Sequence, residues 1–130
     1  MSFQNGDTDD PVSTILNYVA DAPKSAVLYA KLLGSQPVES SQNFAMFILP
    51  NGTALGLWAR HDVEPKATLP GGTELGFTVD SDDDVRTTRD DWVKLGLKIL
   101  QEPTQMDFGY TFTAADPDGH RLRVYRPSEN

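Results

Sequence analysis

The side chains able to do chemistry in this chain are few in kind. Cysteine is absent, which removes thiol nucleophiles, thiolate metal sites and disulfides together. The two histidines, His61 and His120, fall in a Pro-containing connecting stretch and at a tight turn, where surface roles are expected. Many carboxylates gather in residues 7–10 and 80–84, which read as solvated ends of elements rather than an acidic site. What remains is aromatic. Trp58 follows Ala54 and Gly56 in a strand-like run, so small residues leave room beside a flat ring. Such a wall suits a planar ring system, which stacks for about 0.5–1.5 kcal/mol beyond its area burial. Residues 104–110 read as a flexible flap in which Met106 and Phe108 can cover a ligand, Met because its thioether adapts to irregular shapes. Phe108, Tyr110 and Phe112 alternate onto one face. Phe112 is expected in the core, with Phe108 and Tyr110 as ligand candidates near the strand entrance.

The elements that position these groups come in a repeated order. Residues 14–19 read as a strand. Asp21 then offers an N-cap, Pro23 fits a first helical turn, and Gly34 stands where a helix ends. Strands are expected over 44–49 and 54–59, joined by the hairpin signal Asn51-Gly52. After a break over 61–71 the order returns. A strand covers 74–79, and a helix begins with Asp82–Asp84 as cap and first-turn charges and ends at Gly96. Strands follow over 97–101, 108–115 and 122–125, with Asp116-Pro117-Asp118-Gly119 as a tight turn. The expected fold is therefore α+β, with two tandem βαβββ modules over 12–60 and 72–127, a flexible tail over 1–11 and a linker over 61–71.

The length of 130 residues fits one ordinary domain. The net charge of −8 argues against a nucleic-acid partner, which requires a basic footprint. No apolar run is long enough to span a membrane, and no signal peptide is visible, so a cytoplasmic protein is expected.

Residues 18–34 contain Val19-Ala20-Asp21, Ser25, Tyr29 and Leu32-Leu33-Gly34, and residues 116–120 read Asp-Pro-Asp-Gly-His. Together these resemble the opening and closing motifs of the vicinal-oxygen-chelate (glyoxalase/bleomycin-resistance/dioxygenase) superfamily, over about residues 11–127. The resemblance implies curled mixed sheets around a cleft, and a homodimer. Enzymes of that superfamily carry metal ligands at four positions, which fall here on Thr14, Gly56, Glu74 and Arg123. One carboxylate facing a guanidinium is no divalent-metal site, so no metal and no cofactor are expected. In their motifs the chain is most similar to metal-free, antibiotic-binding resistance members, those that hold phenazines.

With those four positions on the cleft face, strand alternation puts Ile15, Asn17, Val19, Leu55, Leu57, Ala59, Leu75, Phe77, Val79, Leu122, Val124 and Arg126 against the helices, an apolar set apart from Asn17 and the terminal Arg126. The cleft lining then includes Leu16, Tyr18, Gly56, Trp58, Glu74, Arg123 and Tyr125, joined by Met106, Phe108 and Tyr110 from the flap. The expected function is metal-independent sequestration of a planar aromatic small molecule, a phenazine-like antibiotic. Arg123, Arg121 or Arg60 would pair a ligand carboxylate, or Glu74 would draw a basic ligand; the phenazine resemblance favours the acid. Two alternatives stand beside it. One is an enzyme of lyase, dioxygenase or isomerase type using Glu74. The other is an interaction module in which Trp58 is simply packed away.

Overall fold

The computed structural model describes residues 13–69, 71 and 73–128. The tail expected over 1–11 lies outside the described residues. The chain divides after Thr68 into two compact units.

The first unit contains β1 (Thr14–Val19), α1 (Ala22–Leu33), β2 (Glu39–Ser40), β3 (Phe44–Ile48) and β4 (Ala54–Ala59), followed by a 3-10 turn, Arg60–Asp62. Helix α1 starts because the Asp21 carboxylate accepts the Lys24 amide at 3.0 Å, with Pro23 in the first turn where an amide hydrogen is dispensable. It ends at Gly34, whose φ of 68° is open to glycine at no steric cost. The sheet order is β1-β4-β3-β2, with β1 parallel to β4 and the other pairs antiparallel. Ala22, Ala26 and Tyr29 of α1 are buried, as are Phe47, Leu55 and Leu57 of the strands it packs on. Burying a side chain the size of Leu or Phe contributes about 1.5–3 kcal/mol.

The second unit repeats the plan with β5 (Glu74–Thr78), α2 (Asp82–Lys94), β6 (Lys98–Met106), β7 (Gly109–Ala115) and β8 (Arg121–Pro127), in the order β5-β8-β7-β6 with β5 parallel to β8. Trp92 of α2 meets Phe77 and Phe112 edge-on, each at 5.4 Å between ring centroids, and ties the helix to the sheet. Leu122 and Val124 complete this core. The Asp116 carboxylate accepts the amides of Asp118 and His120, both at 2.9 Å, which closes the turn between β7 and β8. Two mixed four-stranded sheets and two helices thus make up the expected α+β fold.

Three local features differ from the sequence reading. Strand β2 is only two exposed residues long, too short for a hydrophobic period. The cap of α2 is Ser81, whose hydroxyl accepts the Asp84 amide at 3.0 Å, and the three aspartates fill the first turn instead. Strand β6 continues past Pro103 to Met106. It is an edge strand whose pairing shifts register between Gln101 and Thr104, and an edge irregularity tolerates a residue with no amide hydrogen. The stretch read as a flap is therefore the tip of the β6–β7 hairpin. No helix among the described residues is long and apolar enough to cross a membrane.

Candidate ligand-binding site

Arg123 is the organising residue of the second unit's sheet face. It stands on β8, between Gly76 of β5 and Thr113 of β7 in register. Its neighbours Leu122 and Val124 point to the core and are fully buried, so alternation turns Arg123 to the face away from α2. The arginine Nε donates to Glu74 Oε1 at 2.6 Å, and Nη2 lies 3.5 Å from Oε2. Nη1 donates to Gln101 Oε1 at 3.1 Å and to Thr111 Oγ1 at 3.2 Å. The Thr113 hydroxyl donates to the same Gln101 oxygen at 3.1 Å, and the Thr111 hydroxyl donates to the Val124 carbonyl at 2.8 Å. All four strands of the sheet thus contribute to one polar network. The Arg123 side chain is 16% exposed and that of Glu74 37%, so the pair is partly withdrawn from water and its geometry is fixed by several bonds.

Two rings wall this network. The Arg123 guanidinium lies 5.5 Å from the centroid of Phe108, within cation–π range. Phe108 meets Tyr125 edge-on at 5.7 Å. Gly76 has no side chain, and a Cβ there would come no nearer than 3.4 Å to Tyr125. The result is a hollow of about 460 Å³ lined by Glu74, Gly76, Phe108, Arg123 and Tyr125. That is within the range of small-molecule sites, which combine apolar walls with a few fixed polar groups.

The first unit carries a different surface at the corresponding strands. Tyr18 and Trp58 are register partners on β1 and β4, with rings edge-on at 6.2 Å. The Trp58 indole Nε1 donates to Asp62 Oδ2 at 2.9 Å, so the 3-10 turn after β4 fixes the ring. Gly56 does not leave the room expected beside Trp58. A Cβ there would lie 2.6 Å from Leu16 Cδ2 and 3.1 Å from Phe44 Cζ, because those two side chains already fill the space.

Of the residues singled out in the sequence, Glu74, Phe108, Arg123 and Tyr125 come together around the hollow. Met106 adjoins them through Gln101, whose Nε2 lies 3.4 Å from its sulfur. Within the first unit, Leu16, Tyr18, Gly56 and Trp58 cluster on β1 and β4. Tyr110 is on the opposite face of its sheet: its hydroxyl accepts from Arg86 of α2 at 3.2 Å, and that guanidinium lies 5.5 Å from its ring centroid. The alternation that put Phe108 and Tyr110 together fails at Gly109, where φ is 154° and the chain leaves the hairpin turn. Gln101, Thr111 and Thr113 join the polar network, and Gly76 the hollow, without being among the residues the sequence singles out. The polar alternation of Thr111 and Thr113 around Phe112 was the available signal.

The four positions equivalent to metal ligands do not fit a divalent cation. Thr14 and Gly56 offer one hydroxyl between them, while Glu74 is engaged by a guanidinium that does not deprotonate. Among the described residues no group of three or more His, Cys, Asp or Glu side chains converges.

Residues 12–124 match the family model of the Glyoxalase/Bleomycin resistance protein/Dioxygenase superfamily. The chain belongs to this superfamily. Within it, the chain is 29% identical over 112 residues to the phenazine antibiotic resistance protein EhpR of Enterobacter agglomerans, covering 84% of this chain and 86% of that one. It is 52% identical to a protein of Agrobacterium tumefaciens solved by solution NMR, with a TM-score of 0.83 over 89% of this chain and 96% of the other. A glyoxalase-related enzyme from Fulvimarina pelagi superposes with a TM-score of 0.79 at 24% identity, over 88% of this chain and 86% of that one, a likeness of fold alone.

Proposed function

We propose that this member of the superfamily binds a planar aromatic small molecule of the phenazine-antibiotic class, without a metal and without transforming it, and so confers resistance by sequestration. The observation that carries the reading is the hollow of about 460 Å³ lined by Phe108 and Tyr125 together with Gly76 and the Glu74–Arg123 pair. Flat rings give it stacking surface, and the ion pair supplies a fixed polar point for orientation. The likeness to EhpR supports the ligand class. The donor sets at the four ligand-equivalent positions support metal independence. The Tyr18–Trp58 pair is proposed as a stacking surface of the first unit, and the protein is proposed to act as a homodimer.

The test is isothermal titration of the protein with phenazine at neutral pH, with and without EDTA, followed by chromatography of the recovered ligand. Saturable binding that ignores EDTA, returns the ligand unchanged and weakens about tenfold in Phe108→Ala is expected, since losing one stacked ring is worth about 1.4 kcal/mol. Absence of binding, its abolition by EDTA, or a changed ligand contradicts the proposal.

A further inference from the structure

We infer that the second unit's hollow selects planar aromatics that donate a hydrogen bond, such as ring amides, amines or phenols, and discriminates against ring carboxylates. The inference rests on the binding role proposed above and names the chemistry its ligand must carry. It also reverses the acidic ligand that the phenazine resemblance favours.

The reason is where the donors of this face are spent. Nε of Arg123 goes to Glu74 Oε1, and Nη1 gives its two hydrogens to Gln101 Oε1 and Thr111 Oγ1. Nη2 lies toward Glu74 Oε2, which leaves one N–H of the five uncommitted. The hydroxyl hydrogens are turned inward too: that of Thr111 goes to the Val124 carbonyl and that of Thr113 to Gln101. The positive charge of Arg123 is already matched by Glu74, and its guanidinium faces the Phe108 ring. A carboxylate entering here would meet a neutralised arginine and lie close to the like charge of Glu74.

The unspent capacity is of the opposite sense. The Glu74 carboxylate has about four acceptor positions, and among the described residues its partner is Arg123. It borders the hollow and is 37% exposed, so a ligand N–H or O–H can reach it while the ion pair stays intact. A bond to an ionised acceptor is about twice as strong as a neutral one. The Tyr125 hydroxyl serves as donor or acceptor and does not discriminate. Arg121, opposite Glu74 in register, is exposed and does not line the hollow, so solvent screens it.

The experiment compares phenazine-2-carboxamide with phenazine-2-carboxylate, near-isosteric probes of opposite sense, by titration at pH 7.5 against the wild-type protein and Glu74→Gln. The wild type should bind the carboxamide about tenfold or more tighter, as expected from one charge-assisted bond gained against one like-charge approach avoided. Glu74→Gln should erase or invert that preference, because it removes the negative charge and loosens the hold on Arg123. Equal affinities, or a tighter carboxylate in the wild type, overturn the inference and leave planar-aromatic binding standing. If neither probe binds, the binding reading falls and this inference with it. The wild-type comparison decides the matter even if the variant does not fold.

Discussion

Arg123 reaches across the parallel β5–β8 ladder to Glu74, which is not its register partner: Gly76 is opposite Arg123, and Arg121 is opposite Glu74. The side chains meet diagonally, Nε to Oε1 at 2.6 Å, because the glycine opposite Arg123 has nothing to put in the way. The same diagonal in the first unit joins Thr14 and Gly56, since Gly56 is opposite Leu16 and Thr14 is opposite Ala54. There the larger neighbour sits at Leu16 and fills the space. The diagonal of the first unit is thus occupied by an aliphatic side chain, and that of the second by an ion pair bordering a hollow.

Replacing Arg123 by Met should destabilise the protein by about 1–2 kcal/mol, because Glu74, Gln101 and Thr111 lose a partner while the partial exposure of Glu74 limits the cost. Adding Glu74→Gln to that variant should recover part of the loss. Urea denaturation of the two single variants and the double variant measures the coupling, and strict additivity would deny that the pair acts as a unit.

Gly109→Ala should cost about 2 kcal/mol or more. Its φ is 154°, and an added Cβ would lie 2.1 Å from the Arg126 carbonyl oxygen, a backbone atom that cannot step aside cheaply. The hairpin tip carrying Phe108 would shift, so weaker ligand binding should accompany the lower Tm. An unchanged Tm would contradict this.

Asp62→Ala should release the Trp58 indole while altering stability by about 1 kcal/mol or less, the usual worth of one exposed hydrogen bond. Tryptophan emission should change, and Trp58→Phe should remove that response, since Trp92 is buried in the core of the other unit. An emission spectrum indifferent to Asp62→Ala would mean that the turn does not hold the ring.

Arg89 of α2 grips Glu102 of β6 with Nε and Nη2 at 2.9 and 3.0 Å, and this bond holds the Glu102 carboxyl below its ordinary range. A value depressed in the folded state means that the stabilisation is present at neutral pH, above the unfolded-state value. It is lost as pH falls through the folded-state value. Carboxyl titration by NMR should therefore find Glu102 returning toward the ordinary range in Arg89→Ala, with a shallower loss of stability in acid. An identical titration in both proteins would exclude the pairing.

The fold was legible because its signals are local and strong. Asp21, Pro23 and Gly34 mark both ends of α1, Asn51-Gly52 and Asp118-Gly119 mark turns, and the alternation of Leu55, Leu57, Leu122 and Val124 sets which way each strand faces. That register also sets Glu74, Arg123 and Tyr125 on one sheet face, where with Phe108 they line one hollow. What escaped was tertiary. Pro103 reads as a strand end unless the strand is known to lie at an edge. The reversal of faces between Phe108 and Tyr110 depends on a glycine conformation. Gln101 joins Arg123 only through the pairing of β6 with β7. Gly56 looked like empty space because a glycine in a sequence does not reveal which neighbours fill it.

The most direct measurement is an amide chemical-shift titration of the isotope-labelled protein with unsubstituted phenazine in the presence of EDTA. Saturable shifts centred on Gly76, Phe108, Arg123 and Tyr125 are the expected result. No saturable shifts, or shifts confined to residues away from this hollow, would contradict the assignment of the site.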